Sequence, residues 1–240
     1  RRFTEDRPSS GSPSGAPKTP RLKADLFGFH AVREAWKNPG RFVHALGQAV
    51  VERGATMRTL EVRDVSSSGS GVSVYPPSGE PLTADTAVIA TGAWLSRLAG
   101  SRIHVPVQAG RGYSFTVPVD HPVPGPIYLP DVRVACTPYH GALRVAGTME
   151  FRDPHDPAIA ARADAIVTSA SPLLQGVRWA ERSEVWVGPR PVTPDGRPLI
   201  GEVSRGVYVA GGHGMWGLAH GPVTGRLLAE QITTGKQPEA

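Results

Sequence analysis

The chain has 240 residues, 40% of them hydrophobic, with 28 Gly, 24 Pro and a formal net charge of +5. That length carries one large domain or two closely associated smaller ones, and the Gly and Pro excess argues for a loop-rich α/β or α+β protein over a helical bundle. A single cysteine, Cys136, excludes an internal disulfide framework and fits a reducing cytoplasm, while the longest apolar runs, Thr86 to Ala90 and Gly206 to Ala210, are too short to span a bilayer.

Part of the basic excess sits at the start, where Arg1, Arg2, Arg7, Lys18, Arg21 and Lys23 face only Glu5 and Asp6. Only one aromatic, Phe3, stands among them and there is no zinc or helix-turn-helix pattern, so this is read as a solvated tail, with no nucleic-acid partner. Residues 1–21 are rich in Ser, Pro and Gly and are expected to form a disordered lead-in. The chain begins with Arg and lacks an apolar secretion segment, so its start reads as truncated.

Along the chain, NPGRFVHALGQAVVERGA predicts a helix. Asn38 is placed as N-cap and Pro39 at the first helical position; Phe42, Val43, Leu46, Ala49 and Val50 form a stripe, and Gly54 is the stop. A strand is expected from Thr56 to Val62, a turn at SSSGSG, a second strand from Val72 to Tyr75, and a buried strand from Ala87 to Ala90 running into a glycine turn. From Ile103 to Glu150, short β-rich runs separated by Pro and Gly read as a mostly antiparallel sheet. A helix is expected at Ala158 to Ser169, strands at Glu184 to Val187 and Gly206 to Ala210, and a last helix closed by Gly235.

Gly212, Gly214 and Gly217 stand at G-x-G-x-x-G spacing between a strand and a helix. A dinucleotide turn requires a second parallel strand with an acidic residue about 20 residues on. The residues beyond Gly217 are consumed by a helix and a polar tail, so this is not that turn. Two readings stay open: a glycine-packed strand–helix turn, or a loop whose helix N-terminus faces the partial negative charge of a ligand.

Four blocks then carry a resemblance: NPGRFVHALGQAVVERGATM, TADTAVIATGAWLSRLAG, VWVGPRPVTPDGRPLIGE and GVYVAGGHGMWGLAHGPVTGRLLAEQITTG, with GRGYSFTV and ALRVAGTMEF between them. In this order they resemble the D-amino-acid oxidase and dehydrogenase family of flavoproteins, which includes glycine and sarcosine oxidases. Bacterial D-amino-acid dehydrogenases are the nearest subgroup, and the likeness runs from about Pro39 to Gly235. The resemblance implies an α/β (α+β) fold: a Rossmann-like FAD-binding domain, here incomplete (residues 22–102 and 188–240), with an inserted, mostly antiparallel substrate sheet (residues 103–187). The family begins with a strand, a G-x-G-x-x-G turn and a helix that cradle the ADP half of FAD; no such unit stands before Asn38.

The implied function is FAD-dependent oxidation of a D-amino acid or a secondary amino acid. Hydride leaves Cα for flavin N5, giving an imino acid, with oxygen or a quinone as electron acceptor. The alternative is a non-catalytic remnant or interaction module without flavin. By resemblance, Arg190 pairs with the substrate carboxylate, a role suited to a planar guanidinium fork. Tyr113 is a second carboxylate or amine contact, or else a core-edge tyrosine. Val62 meets the adenine, and Thr91, Gly92, Ala93 and Trp94 lie near the flavin or its phosphates. Gly211, Gly212, His213, Gly214, Met215, Trp216 and Gly217 form the flavin loop, with His213 donating to ring or substrate or capping the helix, and Met215 and Trp216 lining the pocket or, the favoured role, packing the loop. Cys136 is expected to be a buried inert thiol, not a covalent flavin attachment. No metal-ligand spacing is present among the eight histidines, and neither a hydrolase nucleophile elbow nor a P-loop occurs.

Overall fold

The structure, a computed structural model, describes residues 39–237. The expected lead-in and the N-cap Asn38 lie outside the described residues.

Helix α1, Pro39–Glu52, forms as its Pro39 start and apolar stripe predict, and it ends at Gly54 with φ 95°. The stripe is only partly covered among the described residues: Phe42 and Ala49 are half-buried, while Val43, Leu46 and Val50 are exposed. The strand expected from Thr56 to Val62 does not form. That segment has β-type composition but no neighbouring strand among the described residues to complete a ladder, and pairing, more than propensity, makes a strand. The first strand begins two residues later. β1 (Asp64–Ser68), β2 (Gly71–Tyr75) and β3 (Leu82–Ala84) make an antiparallel sheet, so Ser66 to Ser68 belong to the ladder and the turn is only Gly69 and Ser70.

A second sheet joins distant parts of the sequence. β4 (Ala87–Ile89) runs parallel to β11 (Val207–Gly211), which pairs antiparallel with β10 (Leu199–Ser204). α2 (Leu95–Ala99) packs beside it, and Val65, Val72, Ile89, Leu95, Val207 and Val209 share one core. The final helix is α4, Gly217–Thr234. It buries Thr224, Leu228 and Gln231 on one face and closes where Gly235, at φ 72°, donates its N–H to Gln231 O.

The largest sheet has five antiparallel strands in the order β6-β7-β8-β5-β9: β5 Gln108–Val117, β6 Ile127–Leu129, β7 Val134–Tyr139, β8 Ala142–Phe151 and β9 Ser183–Val192. The last strand continues to Val192, past the boundary expected at residue 187, and carries Pro189 and Pro191 within it. It can do so because it is the edge strand, where a missing N–H costs no inner ladder bond. One face of the sheet is a packed core. Tyr113, Phe115, Val117, Cys136, Leu143 and Val145 meet Ala163, Ile166 and Ala170 of helix α3 (Ala160–Ala170). Burial pushes the Cys136 thiol up to about 12, so it stays protonated and inert among these side chains, as expected. The other face of the sheet is open and holds the candidate site.

Candidate functional site

Alternation along a strand puts every second residue on the same face. On β5 the open face receives Gly110, Gly112 and Ser114; on β9 it receives Trp186, Gly188 and Arg190, with Gly112 opposite Gly188 in the register. These glycines make room. A Cβ on Gly112 would lie 1.9 Å from Arg190 Nη1 and 2.3 Å from its Cζ, so the guanidinium lies flat across bare backbone.

The Arg190 guanidinium is the unbalanced group of this face. Its Nη1 is buried and has no hydrogen-bond partner among the described residues, and burial lowers the arginine's pKa from its ordinary value. A desolvated guanidinium nitrogen left unpaired costs free energy, and an anion that accepts its protons removes that cost. A carboxylate presents two coplanar oxygens to a fork of N–H donors, which matches what is missing.

The glycine loop docks beside this cation. Gly214 N–H donates to Pro191 O at 2.8 Å, and His213 bridges antiparallel to Val192, so residues 211–217 are tied to the strand segment just after Arg190. Close packing explains two of its glycines: a Cβ on Gly211 would meet Leu95 Cδ2 at 2.8 Å, and one on Gly212 would meet Thr193 Cγ2 at 2.8 Å. Gly214 (φ 55°) and Gly92 (φ 59°) instead have open space around them. The loop leaves the carboxyl end of β11, and Thr91, Gly92, Ala93 and Trp94 come just after the carboxyl end of the parallel β4. In α/β sheets, ligands bind in the crevice outside the carboxyl ends of parallel strands.

The other expected site residues separate into those with and those without free groups. His213 Nε2 is 2.8 Å from Thr224 Oγ1, which ties the loop to α4. Burial, and then the charge of His220, lower its pKa and favour the neutral ring. Trp94 Nε1–H donates to His155 Nε2 at 2.9 Å, and Thr91 O accepts from Trp94 N–H. Met215 and Trp216 do not pack the loop as expected: both are exposed, and Trp216 stacks on His220. Val62 is half-buried against the smaller core but belongs to no strand.

Tyr113 is not part of this face. As the residue after Gly112 it points to the opposite side, into the core, where its hydroxyl donates to Glu150 Oε1 at 2.7 Å and accepts from Ile159 N–H at 3.0 Å. Both capacities of the phenol are used, which removes it as a carboxylate or amine contact. Glu150 also meets Arg162 Nε at 3.2 Å and Arg111 Nε at 3.8 Å. Burial alone would raise the Glu150 pKa; the Tyr113 hydrogen bond and the charges of Arg111, Arg162 and Arg152 outweigh it and hold the carboxyl below its ordinary value. Gly112, Gly188 and Trp186 belong to the site but were not singled out from the sequence; the glycine one residue before Tyr113 was the available signal. Among the described residues no cluster of three His, Cys, Asp or Glu is placed to hold a metal ion, and no helix is long and apolar enough to cross a membrane.

Known proteins resemble this chain in sequence and in fold. Residues 14–231 match the DAO family model, described as FAD dependent oxidoreductase. A D-amino acid dehydrogenase of Vibrio vulnificus is 34% identical over 206 residues, covering 82% of this chain and 49% of that protein. A D-amino-acid oxidase of Bradyrhizobium diazoefficiens is 34% identical over 213 residues, covering 85% and 50%. Among solved structures, the glycine oxidase of Geobacillus kaustophilus superposes with a TM-score of 0.71 at 28% identity, over 79% of this chain and 52% of that one. The iminodiacetate oxidase of Chelativorans sp. BNC1, at 24% identity and a TM-score of 0.70 over 84% of this chain and 56% of that one, shares the fold. The chain thus spans about half the length of the curated relatives it matches. With the orphaned arginine beside a glycine loop at the carboxyl ends of parallel strands, and a family match across most of the sequence, the chain belongs to the DAO family of FAD-dependent oxidoreductases.

Proposed function

We propose that the chain carries the substrate half of an FAD-dependent oxidoreductase that oxidises a D-amino acid or a secondary amino acid at Cα. The observation that carries this reading is Arg190: a buried guanidinium nitrogen without a partner among the described residues, laid over Gly112 on an open sheet face. A carboxylate on this fork is held in one plane, which fixes the direction of the Cα–H bond, and such positioning lowers the barrier of a direct transfer.

FAD, when bound, supplies the hydride acceptor. The residues that would hold its ring system are Thr91 to Trp94 and Gly211 to Gly217, whose open glycines Gly92 and Gly214 leave space at the carboxyl ends of β4 and β11. The protein's own part is to bind and orient. Arg190 anchors the carboxylate. His213, its ring favoured neutral, ties the loop to α4 through Thr224 without adding a charge beside the arginine. Loss of hydride from Cα and of a proton from the ammonium leaves an imino acid, which water hydrolyses to a 2-oxo acid and an amine, or which remains an imine when the amine is cyclic. Oxygen or a quinone is the terminal acceptor.

The test is reconstitution of the purified chain with FAD, followed by its absorbance bands and their bleaching on addition of D-amino acids, in wild type and in Arg190→Met. Bleaching is expected in wild type and a loss of substrate affinity of about 100-fold in the variant, the worth of a pair of charge-assisted hydrogen bonds. Equal bleaching of both proteins at the same substrate concentration would sink the assignment of Arg190.

A further inference from the structure

Arg190 does not lie alone over the glycine floor. From the other side of the same row, the Trp186 indole reaches back across Gly188, with Cη2 and Cζ3 at 2.1 and 2.5 Å from where a Gly188 Cβ would be. Gly188 and Gly112 are register partners, and neighbouring strands run about 5 Å apart. The guanidinium over Gly112 and the indole over Gly188 are therefore side by side on one face. The indole is 60% exposed, an unusual state for the largest apolar side chain on an ordered strand. Met149 borders the same floor, its Sδ 3.3 Å from the Cβ position of Gly110, and is also exposed.

The charges nearest this aromatic wall are already spent. Across the sheet, Arg144 Nη2 donates to Ser114 Oγ at 2.9 Å, and its Nη1 donates to Thr116 Oγ1 and to Glu184 O, both at 3.0 Å. Its charge is balanced by the Glu184 carboxylate at 3.5 Å. A second carboxylate would meet an arginine whose charge is already matched. An apolar group would find the face of an indole and a thioether.

We propose that Trp186 is the specificity-determining wall of the site: with a carboxylate on Arg190, the substituent at Cα lies against the indole, and the preferred substrates are amino acids with large apolar or aromatic side chains rather than glycine or acidic ones. This rests on the reading of Arg190 as the carboxylate anchor. Aromatic surface adds affinity in proportion to the apolar area it covers, and a pocket of this kind discriminates by about tenfold or more between a large substituent and none.

The experiment titrates the full chain, without flavin, with acetate, 3-phenylpropanoate and succinate, following the Trp186 indole NMR resonance and the heat of binding. In wild type, 3-phenylpropanoate is expected to bind at least about tenfold more tightly than acetate, and succinate no better than acetate. Trp186→Ala should abolish the preference for 3-phenylpropanoate over acetate; Trp186→Phe should keep most of it, which separates lost contact from lost folding. Arg190→Met should weaken all three. An unchanged ratio in Trp186→Ala, or a preference for succinate, overturns the specificity wall while leaving the anchor standing. If no carboxylate binds wild type, or if Arg190→Met binds as well as wild type, the anchor falls and the wall with it.

Discussion

The two faces of the five-stranded sheet are made by the same strands and differ in almost every physical respect. On the covered face, the large side chains have partners: Tyr113 is hydrogen-bonded twice, Glu150 meets two arginines, and Phe115 and Cys136 have no exposure. On the open face, three glycines leave the backbone bare, an arginine nitrogen is buried without an acceptor among the described residues, and a tryptophan stands in solvent. One face minimises its own free energy, and the other is left incomplete in a way that an amino-acid carboxylate and an apolar side chain would complete. Stability and binding are thus separated by the pleat of β5, one residue apart.

Substitutions on the two faces of the sheet should split the two properties. The largest expected effect is on the covered face, where Phe115→Ala removes a fully buried ring and should lower stability by about 3–5 kcal/mol, read from urea unfolding. Glu150→Gln should cost less and change the pH profile. A carboxyl held below its ordinary value stabilises the fold above its unfolded value, near 4.5, and that contribution is lost as pH falls through the lower folded value. The variant should therefore be less stable at neutral pH and lack the wild-type decline in acid; an unchanged acid limb would dismiss the Tyr113–Glu150–arginine network as a pH-linked element. The smallest effect on stability, and the sharpest test of the comparison, is Gly112→Ala. The atoms nearest the new methyl all belong to the far end of the Arg190 side chain, so the unfolding midpoint should hardly move while carboxylate binding weakens by about 1–3 kcal/mol. If Gly112→Ala unfolds the protein and leaves binding intact, the assignment of the two faces is wrong.

Much of the fold was legible because its signals are local. Helix α1 comes from Pro39, its apolar spacing and Gly54; α4 ends where Gly235 enters the left-handed region; the strand before the glycine turn at Gly92 is where its apolar run lies. The failures were those in which a distant partner decides. Thr56 to Val62 has strand composition and, among the described residues, no strand to pair with. Pro189 and Pro191 disguise β9, which tolerates them only because its outer edge carries no ladder.

The candidate site divides along the same line. The order of the blocks identified the family and the arginine within GPRP marked the proposed anchor, since residue type and short spacing are properties of the sequence itself. Only the tertiary structure decided the company Arg190 keeps. Register sets Gly112 opposite Gly188, so Arg190 and Trp186 converge over a floor without side chains, and alternation sends Tyr113, one residue on, into the core. Which face a strand residue occupies depends on which neighbour the strand pairs with and in what register, and that is a relation between segments far apart in the chain.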